Sequence, residues 1–403
     1  MRTFQYTAII GVILISTTLP VLAKRIYTIG TQINAVASLD NNPRLNNDGF
    51  SPSQGGIWST FYGLYPSISL NSTGLRSNLQ LSYALGLNAN PSERSRPSES
   101  HSFSGTFGTP LTRNLGLTVS ESFTRSRDFT TFNIFRGIIL TPEGLLFDFD
   151  TIALLQESSY NKASLALDYT LSSDSSLSFG VGHSIRSFEQ SIDASNRLSN
   201  ETGFSGNVAY SQNINGRTGW NLSYSASLRD FDQFQNNLTH NINIGLSHQV
   251  SPTVSLALTG GPSYSQSPET GAGFSGYNAS FQISKAFEET FTSLSYSHGT
   301  GTSTGVGSVS NTDTLAFNFS RPLVRRININ ANLSLYRTTA ILDNPVATRG
   351  GLAAVSLGYS LSESWALNFG ATYRKQEETT LNDGEQKRIF TSLSYTLPEL
   401  LRF

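Results

Sequence analysis

The chain has 403 residues, of which 14% are charged and 37% are hydrophobic, and its formal net charge at pH 7 is −1. Soluble domains average about 25% charged and about 45–50% apolar residues, so this composition does not describe an ordinary solvent-exposed exterior. The near-zero net charge gives no argument for a nucleic-acid partner, and the lack of cysteine excludes disulfide bonds and a cysteine-linked lipid anchor.

The first 23 residues have the pattern of an export signal. Arg2 precedes an apolar run over 8–15, and small residues stand at 21–23. This predicts a secretory signal peptide at 1–23 and a mature chain over 24–403. No comparable apolar run follows, so no transmembrane helix is expected.

Strict alternation of apolar and polar residues recurs along the rest of the chain. In GWNLSYSASLRD (219–230), Trp220, Leu222 and Tyr224 alternate with Asn221 and Ser223. The stretches 75–88, 327–335 and 365–374 repeat the pattern. A period of two predicts strands with two unlike faces.

Eighteen segments match this pattern, and most have the length that a tilted strand needs to cross a bilayer. They predict an all-β, closed, antiparallel transmembrane β-barrel of about eighteen strands, with sixteen or twenty as the alternatives. The segments are 32–39, 59–70, 75–88, 101–109, 115–125, 159–171, 177–188, 204–214, 220–231, 237–250, 254–264, 274–287, 291–298, 312–321, 327–337, 351–361, 365–374 and 387–397.

The connections between these segments alternate in length, with few exceptions. Short turns such as 71–74, 172–176 and 362–364 alternate with longer segments such as 40–58 and 126–158. Barrels of the bacterial outer membrane have short periplasmic turns and longer external loops. The pattern therefore predicts the outer membrane of a Gram-negative bacterium, reached after export.

Aromatic residues cluster toward the ends of the predicted strands, whereas their middles hold mostly Leu, Ile and Ala. Such rings are typical of the girdles at the two membrane interfaces, although aromatics are also common in strands generally. The predicted girdle residues are Trp58, Phe123, Phe188, Tyr296 and Tyr373 at the external level and Tyr169, Trp220, Phe287, Phe319, Tyr359, Trp365 and Tyr395 at the periplasmic level.

The predicted inner face is rich in Ser, Thr, Asn and Gly and carries few charges. The candidates on strands are Arg76, Asp168, Arg186, Arg229 and Arg374. Rings of charge set selectivity in such channels, so a mild excess of Arg predicts at most a weak preference for anions. A wall of amides and hydroxyls suits small polar solutes or sugars, but it would arise in any water-filled barrel.

The segment 126–158 is too apolar for a solvated external loop. We expect a hairpin, turning at Pro142, that lies inside or across the lumen and brings Arg136, Glu143, Asp148 and Asp150 to a constriction. The alternatives are an external hairpin that extends the barrel wall and two further strands.

Glu121 breaks the alternation, since it falls on the apolar face between Val119 and Phe123. A carboxylate in the lipid-facing band is unfavourable. It must therefore lie at the external rim, or a β-bulge must shift the register.

The sequence holds no recognisable catalytic or metal-binding pattern. None of the five histidines has metal-ligand spacing, and none precedes a serine by two residues, as the outer-membrane phospholipase pattern requires. The Asp-His dipeptide of omptin proteases is absent as well. A non-enzymatic protein without a cofactor is expected, and a barrel hydrolase is the less favoured alternative.

The chain ends in Phe403, which resembles the aromatic terminal signal through which outer-membrane proteins engage the barrel-assembly machinery. Pro398 ends the alternation after Leu397, because proline lacks a backbone N–H for the ladder. The spacing of Phe403 from the last strand thus departs from the signal.

The N-terminal quarter, with NAVASLDNNPRL (34–45), YPSISL (65–70) and LQLSYALGLN (79–88), resembles β-barrel porins associated with exopolysaccharide gene clusters. The resemblance implies passage or export of small hydrophilic solutes or saccharides, with outer-membrane lipid and lipopolysaccharide as surroundings. A structural or polysaccharide-assembly barrel without an open channel is the alternative. The oligomeric state is open.

Overall fold

A computed structural model describes residues 26–41, 58–74, 76–89, 91, 98–126, 157–188, 199–302, 309–340, 347–378 and 384–397. No helix in these ranges is long and apolar enough to cross a membrane. They form eighteen strands: β1 (Ile26–Asp40), β2 (Ser59–Thr73), β3 (Asn78–Ala89), β4 (Ser98–Pro110), β5 (Leu115–Ser126), β6 (Ser158–Thr170), β7 (Ser175–Phe188), β8 (Glu201–Asn215), β9 (Thr218–Phe231), β10 (Asn237–Ser251), β11 (Val254–Gln266), β12 (Gly273–Phe287), β13 (Thr290–Thr302), β14 (Val309–Val324), β15 (Ile327–Ala340), β16 (Ala347–Ser360), β17 (Trp365–Glu378) and β18 (Gly384–Leu397).

The strands form one closed antiparallel sheet. Each strand pairs with the strands before and after it in sequence, and β1 also pairs with β18. That closing pairing runs from Thr31 opposite Leu397 to Asp40 opposite Arg388. Closure leaves no free edge, so every strand has a hydrogen-bonding partner on both sides, as a bilayer requires.

All eighteen predicted segments are strands, and the predicted fold class is confirmed. Most strands extend beyond the alternating stretch; β1, for example, begins at Ile26 rather than at 32. One is shorter, because β3 begins at Asn78 rather than at 75. There the Gly74 N–H donates to the Ser77 carbonyl at 2.8 Å, closing a turn that contains Arg76.

Most of the large apolar side chains point outward, and they do so around the whole barrel. Phe204 is 51% exposed and Ile244 60%. A soluble sheet would bury these rings and branched chains in a core, whereas a transmembrane barrel exposes them to lipid. Further exposed members of the outer face are Ile33, Leu64, Ile68, Leu165, Phe179, Val181, Leu222, Ile242, Leu258, Ile283, Leu294, Leu315, Leu333, Val355, Phe369, Ile389 and Leu393.

The two ends of the barrel differ in their connections. Eight short turns, each from an even-numbered strand to the next, define what we call the short-turn end. They comprise 74–77, 111–114, 171–174, 216–217, 252–253, 288–289, 325–326 and 361–364. The opposite, long-loop end carries the remaining connections. In outer-membrane barrels the short turns are periplasmic and the long loops external.

Irregularities gather at the short-turn end. The pairing register shifts between Asn213 and Asn215, between Gln249 and Ser251, and between Pro322 and Val324, each beside a two-residue turn. Bulges at such positions increase the local twist and help strands enter tight turns. In the turn 288–289, Glu288 has a φ of 47°, a conformation that side chains rarely adopt.

Candidate functional site: the inner face of the barrel

The middle of the inner face is a network of amides and hydroxyls. Asn278 donates to Asn241 at 2.8 Å and Asn241 to Ser225 at 3.4 Å. The link from Asn278 on β12 to Asn241 on β10 passes β11 at Gly261, which lies opposite Asn278 and has no side chain to block it. Further links join Asn318 to Ser293 and Asn332 to Asn318. These neutral groups satisfy most of one another's hydrogen-bonding capacity, and Asn241, Asn278 and Ser225 remain partly exposed on the inner face.

The inner face is open toward the short-turn end. A cavity of about 670 Å³ lies against β8–β12, and its inward-facing polar lining includes Asn213, Ser247, Gln249, Ser255, Gln282 and Ser284. Asp174 and Arg217, two turn residues of opposite charge, also line it. Asn207 near the middle of β8 and Ser211 nearer its short-turn end are also exposed on the inner face. Neutral polar side chains beside open space form a hydrated wall.

The inner face is covered toward the long-loop end. Asp40 and Ser265 are fully buried there, although both point away from the lipid. The pattern holds on most strands, through residues that include Val36, Ser38, Tyr65, Ser100, Ser102, Arg186, Phe188, Glu201, Phe231, Thr239, Ser263, Ser334, Tyr336, Leu352, Gln386 and Arg388. In the present conformation the inner wall is therefore packed at one end and open at the other.

The first cluster of charge in the packed half joins β18 to β1. Arg388, 6% exposed, donates to Asp40 Oδ2 from Nε at 2.9 Å and from Nη2 at 2.7 Å. Gln386 Nε2 donates to the same oxygen at 2.7 Å. A buried charge is tolerated when it is paired and hydrogen-bonded in this way.

Polar contacts continue from this cluster onto neighbouring strands. Arg374 lies opposite Gln386 and donates to Gln376 Oε1 at 3.3 Å, an oxygen that also accepts from the Tyr336 hydroxyl at 3.3 Å. On the other side, the Tyr65 hydroxyl donates to Asn88. The cluster thus holds together the inner faces of β15, β17, β18 and β1.

The second cluster lies on β6–β9. Arg186 Nε is 3.7 Å from Glu201 Oε1, and Arg229 Nη1 is 3.8 Å from Glu201 Oε2. The Arg186 guanidinium also stacks over the Tyr160 ring, 4.6 Å from its centroid, which is a cation–π contact. One carboxylate is shared by two guanidinium groups, so the cluster carries a net positive charge.

The structure brings some of the predicted charges together and separates others. Arg186 and Arg229 share the second cluster and Arg374 belongs to the first, whereas Asp168 lies exposed near the short-turn end. Arg76 is not on a strand: it is exposed in the turn 74–77, where its carbonyl accepts from Thr109. Arg136, Glu143, Asp148 and Asp150 lie outside the described residues.

The sequence analysis did not name four charged residues whose described side chains point inward: Asp40, Lys162, Glu201 and Arg388. Alternation could have found Lys162, because it shares the even-numbered face of β6 with Ser164 and Asp168. Asp40 and Glu201 lie at strand ends, where the alternating pattern fades, whereas Arg388 falls inside the alternating segment 387–397 and could also have been found. Among the inward charges whose side chains the structure describes, basic residues (Lys162, Arg186, Arg229, Arg374 and Arg388) outnumber acidic ones (Asp40, Asp168 and Glu201).

Most of the predicted girdle residues lie toward the strand ends on the outer face, but Tyr296 stands at the middle of β13, opposite Phe281 and Leu315. Trp365 packs against Tyr395 with the two rings tilted by 36° and their centroids 4.5 Å apart, and the Trp220 ring centroid lies 5.4 Å from that of Tyr210. Tyr169 and Tyr359 lie near the same short-turn end, and Trp58 and Tyr373 lie toward the long-loop end. Phe188 is an exception: it is 8% exposed on the inner face, so its assignment to the external girdle was wrong.

Glu121 lies on the outer face, and no register shift interrupts its pairing with β4 or β6. The bulge, one of the two explanations offered from the sequence, is therefore absent, and Glu121 stands at the middle of β5 rather than at its external end. The side chain is only 4% exposed and accepts from Asn161 Nδ2 at 3.2 Å. Its cross-strand neighbours, Gly105 and Ala163, are small, so the carboxylate can lie flat against the wall.

The histidines also lie on the outer face and are bound to neighbouring side chains. His101 and His240 each contact a tyrosine hydroxyl at 2.8 Å, from Tyr83 and Tyr224 respectively. Among the residues that the structure describes, no group of three or more His, Cys, Asp or Glu side chains could hold a metal ion.

The closed sheet, its outward apolar band and its polar inner face define a class of protein. They are the features of a transmembrane β-barrel of the Gram-negative outer membrane, with the fold of porins. Lipid receives the apolar face, and the polar face encloses a lumen.

Solved structures of outer-membrane proteins share this fold. The chain aligns with OpdK from Pseudomonas aeruginosa, solved with vanillate, at a TM-score of 0.50 and 11% identity over 92% of this chain and 99% of OpdK. It aligns with OccAB4 from Acinetobacter baumannii at a TM-score of 0.50 and 10% identity, over 94% and 100% of the two chains. No protein-family model and no curated protein matches the sequence.

Proposed function

We propose that the barrel is a passive channel for small hydrophilic solutes, and that it is not an enzyme. The observation that carries this proposal is the open, neutral polar wall of the short-turn half, with its cavity of about 670 Å³. A wall of hydroxyls and amides replaces part of a solute's hydration without holding it tightly, which is what conduction requires.

The inward charges suggest a mild selectivity. Basic side chains outnumber acidic ones, and the exposed Lys162 stands between the packed and open halves of β6. A weak preference for anions is expected, because charge lining a narrow aqueous path attracts counter-ions into it.

Saccharides are the solutes that the wall suits best. Their hydroxyl groups can exchange hydrogen bonds with Asn and Ser side chains such as Asn207 and Ser211. The resemblance of the N-terminal quarter to porins associated with exopolysaccharide gene clusters points the same way.

Planar-bilayer recordings with the purified protein test the channel. Ohmic ion current is expected, and added oligosaccharides should reduce it if they enter the lumen. Protein that inserts in folded form and carries no current would refute the proposal. Current that sugars leave unchanged would refute only the saccharide preference.

A barrel without an open channel is the second candidate, and the packed long-loop half favours it. The fully buried Asp40 and Ser265 line the inner face where an external mouth would be. This candidate predicts insertion with no current at any applied voltage.

The segment 126–158 remains a proposed constriction, and only its two ends lie within the described residues. Deleting 130–154 should raise single-channel conductance, whereas deleting 190–197 in another long loop serves as the control. Unchanged conductance in the first deletion would exclude an internal plug.

A further inference from the structure

The outer face carries a groove that the transport path does not use. It lies on β15, β16 and β17, has a volume of about 340 Å³, and is lined by Leu333, Leu335, Gly351, Ala353 and Tyr373 at the level of the apolar band. Arg349, Lys375 and Glu377 form its rim toward the long-loop end. The groove is thus an apolar trough bordered by charged side chains toward the long-loop end.

Small residues on the central strand create the trough. Gly351 lies between Leu335 and Lys375, and Ala353 lies between Leu333 and Tyr373. The side chains on β15 and β17 are large where those on β16 are small. A Cβ added at Gly351 would lie 2.8 Å from Leu335 Cδ2. A larger residue at 351 would therefore fill the space.

The change from apolar to charged occurs at one level on all three strands. On β16 the outward residues run from Val355 through Ala353 and Gly351 to Arg349, toward the long-loop end. In the register, Arg337 lies opposite Arg349, and Arg349 opposite Glu377. Each arginine also faces a carboxylate on its other side, since Asp313 lies opposite Arg337 and Glu377 pairs with Arg349. With Lys375 added, the basic groups at this level outnumber the acidic ones by one, which favours an anion beside the trough.

The rim is ordered and still accessible from outside. Glu377 accepts from Arg349 at 2.5 Å and from Lys375 at 2.5 Å, which holds both basic groups over the trough. The Arg349 side chain is nevertheless 74% exposed, and that of Lys375 is 47% exposed. On β18, Lys387 adds a further basic group, paired with Glu385 at 2.7 Å.

We propose that this groove binds an acyl chain of a phosphorylated lipid of the outer leaflet, and that Arg349 and Lys375 hold the phosphate. The long-loop end faces the cell exterior, so hydrocarbon lies at the level of Leu333 and headgroups lie at the level of Arg349. Guanidinium and ammonium groups bind phosphate strongly, and basic sites beside apolar surfaces are typical of lipid-headgroup recognition. This inference does not depend on which solute passes through the lumen.

Native mass spectrometry of the detergent-purified full chain tests the site. The probes are a diphosphorylated, multiply acylated glycolipid, the same glycolipid without its phosphates, and inorganic phosphate. The variant R349Q/K375Q should bind the phosphorylated lipid at least about tenfold more weakly and the dephosphorylated lipid with little change. Gly351→Leu should weaken binding of both lipids.

Arg321→Gln/Arg326→Gln is the matched control, because both arginines lie at the short-turn end, away from the groove. It should leave lipid binding unchanged. Folding of each variant is checked by heat-modified migration in gels. If Gly351→Leu does not fold, the affinity ratio of the two lipids for R349Q/K375Q alone decides the question.

Three results would overturn the proposal. The first is unchanged lipid binding in R349Q/K375Q. The second is full competition by inorganic phosphate, which would make the site a simple anion site. The third is an oligomer that Gly351→Leu dissociates without loss of lipid, which would make the groove a contact between copies of this chain.

Discussion

Two serines on the inner face show how differently its two ends behave. Ser211 on β8, near the short-turn end, is exposed to the lumen, whereas Ser265 on β11, at the long-loop end, is fully buried and hydrogen-bonded to Thr239 at 2.9 Å. Both have the same chemistry and the same place in an alternating pattern. The difference teaches that alternation decides which face a residue occupies, while its height along the strand decides whether it meets solute or packs.

Charged side chains follow the same division. In the packed half, Asp40 and Arg388 neutralise each other, because removing charge from water is costly unless a partner compensates. In the open half, Asp168 is exposed and its field reaches the lumen. We therefore expect the packed charges to determine stability and the open ones to determine selectivity.

The largest expected effect comes from breaking the buried pair. Arg388→Gln leaves the Asp40 carboxylate buried without its main partner, which should lower the free energy of unfolding by about 3–5 kcal/mol. Urea titration of the barrel folded in lipid vesicles measures this change.

Asp168→Asn is the matched control in the open half. Its effect on stability should stay within about 0.5 kcal/mol, as for exposed positions generally. Equal losses in the two variants would contradict the division between a packed and an open half.

A smaller, electrical effect is expected from Lys162→Glu. Reversing this exposed inward charge should shift the permeability ratio toward cations by about twofold, since charge near the narrow part of a pore sets its selectivity. The reversal potential in a salt gradient reports it. Lys285→Glu, on the outer face near the short-turn end, should leave that potential unchanged; a similar shift in both variants would mean that 162 does not face the conducting path.

The smallest effect concerns a turn at the open end. Glu288→Gly should raise the free energy of unfolding by about 1 kcal/mol, because glycine adopts the φ of 47° without strain. Glu289→Gly, at a position without a positive φ, should instead lower it by about 0.5–1 kcal/mol. Matching losses in both variants would show that residue 288 is unstrained.

Much of the architecture could be predicted from the sequence, because lipid on one side and water on the other impose a period of two over each strand. All eighteen strands and the end of β18 at Leu397 follow from that pattern. The positions of the strand ends were harder to predict from the sequence. The turn hydrogen bond at Gly74 places Arg76 in the turn rather than on the barrel wall. Phe188 is three residues after Ile185, so the alternation of β7 puts it on the opposite, inner face.

The site was predictable in chemistry but not in arrangement. Sequence indicated a neutral, polar inner face with scattered arginines, and the structure has one. The pairing of Asp40 with Arg388 could not be predicted locally, because it joins the first strand to the last across the closing seam. The sharing of Glu201 by Arg186 and Arg229 likewise depends on the register of three strands.

Cysteine labelling tests the central assignment of the two faces most directly, since the natural chain contains no cysteine. Phe204→Cys and Ser205→Cys place single thiols at adjacent positions of β8, one outward and one inward. In lipid nanodiscs, a charged, water-soluble thiol reagent should modify Ser205→Cys rapidly and Phe204→Cys hardly at all. Faster modification of Phe204→Cys, or equal rates at the two positions, would contradict an apolar face in lipid and a polar face lining a hydrated lumen.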